Sequence, residues 1–129
     1  MQEELKNKAR NYFVLGVIAE TLNMHSEAAT NYFKALFAAD DASLFEIIRD
    51  KPKDHTERFA MLKANLPDLY KITDRLFSAY RRTYTQELKK EEVALIKKRI
   101  MEVFENAKIK TPGDEEIRKK FEELLKKGK

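Results

Sequence analysis

The sequence predicts an all-α protein, an antiparallel up-and-down four-helix bundle with a short extra C-terminal helix. Three observations predict it. Only three glycines and three prolines interrupt 129 residues, so the chain is poor in the turns that an all-β fold requires. Apolar residues recur at three- and four-residue steps in successive segments, the period of a one-sided helix. The breaks between those segments are short, which places consecutive helices antiparallel.

The first helix is predicted over Gln2–Leu22. Leu5, Ala9, Tyr12, Gly16 and Ala19 share one stripe, and Phe13 and Val17 widen it. Asn23 and Met24 supply a turn. Ser26 is placed to cap a second helix that continues to about Asp50. It carries Ala29, Tyr32, Phe33, Leu36, Ala39, Phe45 and Ile48. Pro52 ends it, because proline cannot continue a helix. Asp54 and Glu57 then have the spacing of a capping box.

A third helical stretch starts near His55 with Phe59 and Leu62. Pro67 marks an interruption or restart with Asn65 as cap. The stripe resumes through Leu69, Ile72, Leu76 and Ala79 and fades near Leu88. The fourth helix, about Lys90–Lys108, repeats Val93, Ile96, Ile100, Val103 and Ala107. Thr111, Pro112 and Asp114 read as the start of a last helix, with Thr111 as cap and Pro112 at the first position. Its apolar edge is narrow: Ile117, Phe121, Leu124 and Leu125. The terminal Lys126–Lys129 is expected to fray. Residues 1–110 form the bundle, and residues 111–129 belong to the same domain.

Composition excludes several classes. No cysteine is present, so there is no disulfide, no thiol nucleophile and no thiolate metal site. The longest apolar run, Tyr12–Ala19, is too short to span a bilayer, and the acidic residues around it do not fit a signal peptide. No membrane association and a cytoplasmic location are expected. The charged set is dominated by lysine and glutamate, a composition that recurs in proteins from hot environments.

Few residue patterns carry chemistry. His25 and His55 each stand at a predicted helix start with no metal-ligand partner at the right spacing. They read as exposed helix-end residues, and no metal or other cofactor is expected. Nine basic and four acidic residues between Lys71 and Arg99 give that segment a net +5, against +4 for the whole chain. Such a concentration attracts phosphates, although a solvated helix face has the same composition. Asp40 and Asp41 lie within an apolar stretch. A carboxylate buried there needs a charged or hydrogen-bonding partner, and Arg81 or Arg82 is the expected one; an outward-facing acidic pair is the alternative. Tyr12, Leu15, Gly16, Ala28, Tyr32 and Ala35 match the spacing of one tetratricopeptide unit. A single unit has no neighbour to stack on, so an ordinary tight helix hairpin is the simpler reading.

The aromatic, alanine-rich pair (Tyr12-Phe13, then Asn31 to Ala39) precedes a long helix that ends in Ala79-Tyr80-Arg81-Arg82-Thr83-Tyr84-Thr85-Gln86. This layout resembles the HEPN superfamily of helical-bundle proteins, particularly small archaeal members, over about residues 5 to 108. The resemblance implies a homodimer with two motifs facing one cleft and, in many members, metal-independent RNA cleavage of toxin–antitoxin type. The family motif is an arginine, four to six residues, then a histidine. Arg81 fits the arginine. After four intervening residues the sequence has Gln86, which does not titrate near neutral pH.

The sequence therefore leads to a non-catalytic bundle that binds a partner protein, a nucleotide or a nucleic acid. Its candidate ligand or phosphate contacts are Arg81, Arg82, Tyr84 and Gln86. A divergent ribonuclease and a tetratricopeptide-like peptide adaptor are the alternatives.

Overall fold

The apolar excess of the second segment sets the architecture. In the computed structural model, which describes residues 1–127, this segment forms helix α2 (His25–Ile48). Between Tyr32 and Leu44 only Lys34 is exposed and Ser43 half-buried; the rest are buried. A helix that is apolar nearly all round must be covered from several sides. Helix α1 (Gln2–Thr21) covers the largest part, and α5 (Lys90–Asn106) covers another. Helices α3 (His55–Asn65) and α4 (Pro67–Arg82) pack together and against α2, while α6 (Asp114–Lys127) rests on α1. The described residues thus contain six α-helices and no strand. None of these helices is long and apolar enough to cross a membrane.

Contacts fix the direction of the first pair. Glu20 Oε1 accepts a hydrogen bond from the Tyr32 hydroxyl at 2.6 Å, whereas the Tyr12 ring lies under the Lys34 ammonium at 5.6 Å. Positions that ascend along α1 therefore meet positions that descend along α2, and the two are antiparallel. Gly16 makes their close approach feasible. A Cβ on Gly16 would lie 2.5 Å from both Cδ1 and Cε1 of Tyr32, inside van der Waals contact. Phe13 joins the pair to α5, its ring centroid 5.5 Å from those of Tyr32 and Phe104. Helices α2 and α4 also run antiparallel: Phe33 meets Tyr80, and Asp40 meets Thr73.

The restart expected at Pro67 is present: the third stretch is two helices, because Leu66 adopts φ −137° and ψ 69° before Pro67, outside the helical region that proline disfavours for its predecessor. Several other expected boundaries shift. Asn65 does not cap α4; its Nδ2 donates back to Met61 O at 2.9 Å, and Leu66 holds the cap position. Helix α4 ends at Arg82 and not near Leu88, with a turn over the intervening residues. Ser26 does not cap α2, whose cap position is Met24. Its Oγ instead accepts from Leu88 N at 3.3 Å, which ties the start of α2 to the entry of α5. Arg49, at φ 57°, closes α2 two residues before the expected end.

Asp54 does cap α3, accepting from Glu57 N at 2.8 Å. Helix α6 begins at Asp114, so Thr111 and Pro112 precede it, and Pro112 is buried outside the helix. Lys126 and Lys127 complete α6 where fraying was expected; residues 128–129 of that tail lie outside the described residues.

Candidate functional site

The paired acids of α2 find partners other than those expected. Both are buried, which excludes the outward-facing alternative. Asp41 is held by Arg58 of α3, with Nε to Oδ1 at 2.8 Å and Nη2 to Oδ2 at 3.0 Å. Asp40 accepts from Thr73 Oγ1 of α4 at 2.9 Å, and its other oxygen is buried without a partner. Burial, opposed only in part by the Thr73 bond, raises the Asp40 pKa well above the ordinary carboxylate value. Arg82, one of the expected partners, pairs instead with Glu92 at the start of α5. That carboxylate also accepts from Lys89 N at 3.1 Å; these bonds, the backbone one first, lower its pKa. Arg81, the other, is exposed and makes no side-chain hydrogen bond or ion pair among the described residues.

The Asp41–Arg58 pair forms one wall of a cleft of about 230 Å³ between α1, α2, α3 and the end of α4. Lys8, Tyr12, Lys34, His55 and Tyr80 also line it. Arg58 organises its inner edge. The guanidinium lies 5.0 Å from the Phe37 ring centroid and contacts His55 Nδ1 through Nη1 at 2.6 Å. A guanidinium only donates, so Nδ1 is the acceptor and the imidazole proton resides on Nε2. Desolvation first, and then the Arg58 charge, lowers the His55 pKa below its ordinary value, in agreement with that neutral tautomer.

His55 is an exposed helix-end residue, as expected, and its ring also packs among aromatic neighbours; His25, by contrast, is half-buried, with its Nδ1 buried and unpartnered. The His55 ring packs at 4.6 Å from Phe37, 5.8 Å from Phe77 and 6.2 Å from Tyr80. The cap at Asp54 fixes where α3 starts, and hence where His55 and Arg58, three residues apart on one helix face, enter the cleft.

The end of α4 adjoins this cleft through Tyr80. The Tyr80 and Tyr84 hydroxyls are 2.9 Å apart and the ring centroids 5.6 Å apart, nearly edge-on. Burial and the Tyr84 bond push the Tyr80 hydroxyl up to about 12. Tyr84 itself is 73% exposed. Gln86 is exposed, and its backbone N–H donates to Arg82 O at 2.8 Å. Of the four candidate contacts, Arg81, Tyr84 and Gln86 are exposed near the end of α4, Tyr84 with its hydroxyl bonded to Tyr80, while the Arg82 guanidinium is engaged by Glu92. No group of three or more His, Cys, Asp or Glu residues among the described residues is arranged to hold a metal ion.

Sequence reasoning missed Lys8, Lys34, His55 and Arg58 as neighbours. The only local signal was the Asp54 cap, which sets the register of α3; the approach of α3 to Asp41 is tertiary. Compared with protein-family models, curated proteins and solved structures, the chain matches none.

Proposed function

We propose that this protein is a non-catalytic, HEPN-like binding module that holds a single-stranded, nucleotide-containing ligand at the end of α4. The supporting observation is Tyr84: an aromatic ring 73% exposed, backed by Tyr80 and three positions after the exposed Arg81. An exposed ring beside a free cation stacks a base and neutralises its phosphate. Arg81 is the electrostatic contact in this reading, Tyr84 the stacking surface and Gln86 a hydrogen-bonding edge. The antiparallel up-and-down bundle, with α3 and α4 together as its third leg, is part of the same reading, as is a cytoplasmic setting.

The chemistry of the site supports binding over RNA cleavage. Gln86 cannot exchange a proton near neutral pH. His55 carries its proton on Nε2 while Nδ1 is occupied by Arg58, so neither nitrogen is free to accept a proton. Tyr80, at about 12, is too weak an acid to serve as a base precursor at pH 7. The tetratricopeptide-like reading is disfavoured because α5 and α4 already cover the α2 surface that a peptide groove would need.

Self-association belongs to the proposal too. Leu95 and Met101 on α5, and Phe121, Leu124 and Leu125 on α6, are each 38–55% exposed, and light scattering on concentrated protein should give a dimer mass. The direct test is fluorescence anisotropy with a labelled oligouridylate. Tyr84→Ala should weaken binding by about 1–3 kcal/mol, the usual worth of one stacked base, and Arg81→Ala should weaken it and flatten its salt dependence. Arg81-dependent cleavage of the RNA would replace this reading with the ribonuclease one. Equal affinity of wild type and Tyr84→Ala would remove it.

A further inference from the structure

The cleft between α1 and α3 carries features that the Tyr84 surface does not use. Lys8, Lys34 and Arg58 contribute three positive charges and Asp41 one negative, a net +2 with His55 neutral. The Asp41 carboxylate is spent on Arg58, which meets both of its oxygens. Neither lysine has a carboxylate within salt-bridge distance among the described residues; Lys34 instead lies over the Tyr12 ring. Arg58 uses three of its five N–H groups on Asp41 and His55, which leaves two. The Nε2–H of His55 adds a neutral donor. The cleft is thus rich in donors, while its acceptor atoms on Asp41 are already occupied. Its remaining wall is aromatic, formed by Tyr12, Phe37 and Tyr80.

We infer that this cleft is an anion site for a phosphate monoester attached to a planar ring, such as a nucleoside monophosphate or the 5′-phosphorylated end of an RNA. A phosphate monoester is close to a dianion at neutral pH and matches the net +2 of the lining. A carboxylate would leave half of that charge unanswered. Lys8 and Lys34 take the phosphate oxygens from the open side, and Arg58 and the His55 Nε2–H take them from the inner edge. The ring then lies against Tyr12 or Tyr80. The site meets the Tyr84 surface at Tyr80, whose hydroxyl bonds that of Tyr84, but Lys8, Lys34, His55 and Arg58 belong to the cleft alone, so the lysine variants test it apart from the Tyr84 reading.

Isothermal titration calorimetry with adenosine 5′-monophosphate, inorganic phosphate and adenosine tests this. The monophosphate should bind, phosphate more weakly, and adenosine least. Lys34→Glu and Lys8→Glu should each weaken the monophosphate at least about tenfold, the effect of losing one charge-assisted bond. Lys34 is exposed, so the fold should tolerate its replacement, and Lys34→Gln with a circular-dichroism melt controls for that. Comparing the free monophosphate with 5′-phosphorylated and 5′-hydroxyl oligouridylates identifies the source: Lys34-dependent preference for the phosphorylated strand points to an RNA end, and for the monophosphate to a free nucleotide. Adenosine binding as tightly as its monophosphate, affinity unchanged in both lysine variants, or no binding of any phosphate would overturn the inference.

Discussion

Replacing Gly16 by alanine should destabilise the protein, although alanine is the better helix former. The added Cβ would stand 2.5 Å from two carbons of the Tyr32 ring, about 1 Å inside ordinary contact. The ring has nowhere to go. It is fully buried, packed on Phe13, and its hydroxyl is anchored to Glu20 Oε1 at 2.6 Å. Overpacking at a fixed site costs about 3 kcal/mol, and the helix propensity of alanine returns about 1 kcal/mol. The net loss is about 2 kcal/mol, which lowers a urea midpoint by roughly 1–2 M for an m-value of about 1–2 kcal/mol/M. A double-mutant cycle isolates the cause. In a Tyr32→Leu background the clash is relieved, so Gly16→Ala should be neutral or slightly stabilising. A wild-type background in which Gly16→Ala raises the midpoint, or an equal loss in both backgrounds, would refute the close-approach argument.

Other consequences can be measured on the same equilibrium. Arg58→Ala leaves the Asp41 carboxylate buried and unpaired and should cost about 3–5 kcal/mol, whereas Arg82→Ala, at a solvent-exposed pair, should change stability by about 1 kcal/mol or less. Asp40 has a raised pKa in the folded state, so the native protein binds the extra proton. Its stabilising contribution is complete below the unfolded value and is lost as pH rises through the folded one; Asp40→Asn should abolish that decline and raise stability at pH 7. His55 has the opposite sign. Its folded pKa is lowered, so its contribution is complete above the unfolded value near 6.5 and falls on acidification; His55→Gln should remove this slope in a series of pH-dependent melts.

The helical class was legible because burial is periodic. The α1 stripe, the alanine-rich α2 and the α5 repeat all face the core as their spacing requires: Ala9, Gly16, Leu36, Val93 and Ile100 are buried. Helix ends were less legible, since Ser26 and Asn65 have the composition of caps but bond elsewhere. Cap chemistry is satisfied by whichever partner the tertiary structure brings near. The partner of Asp41 was hidden for the same reason. Arg58 lies only 17 positions further along, yet nothing local distinguishes it from Arg81. What decides is that the chain breaks at Leu66 and α3 packs against α2. The Arg81–Gln86 turn was legible as a motif fragment. The basic cleft was not, because its residues come from four helices.

Helix α6 buries none of its residues. Its polar ties to α1 are Arg10 to Glu116 Oε1 at 2.6 Å and Lys120 to Asn11 at 2.7 Å, and Arg10 also reaches Lys110 O, in the segment before α6, at 2.8 Å. Helix α2, by contrast, is the shared support of four others. This contrast implies two tiers of opening. Amide protons of α6 should exchange with solvent through local detachment at a low free-energy cost, and those of central α2 only when the whole molecule unfolds. In native-state hydrogen exchange α6 would behave as a separable unit, and a protease cutting at Gly113 would release it while leaving the rest of the chain folded.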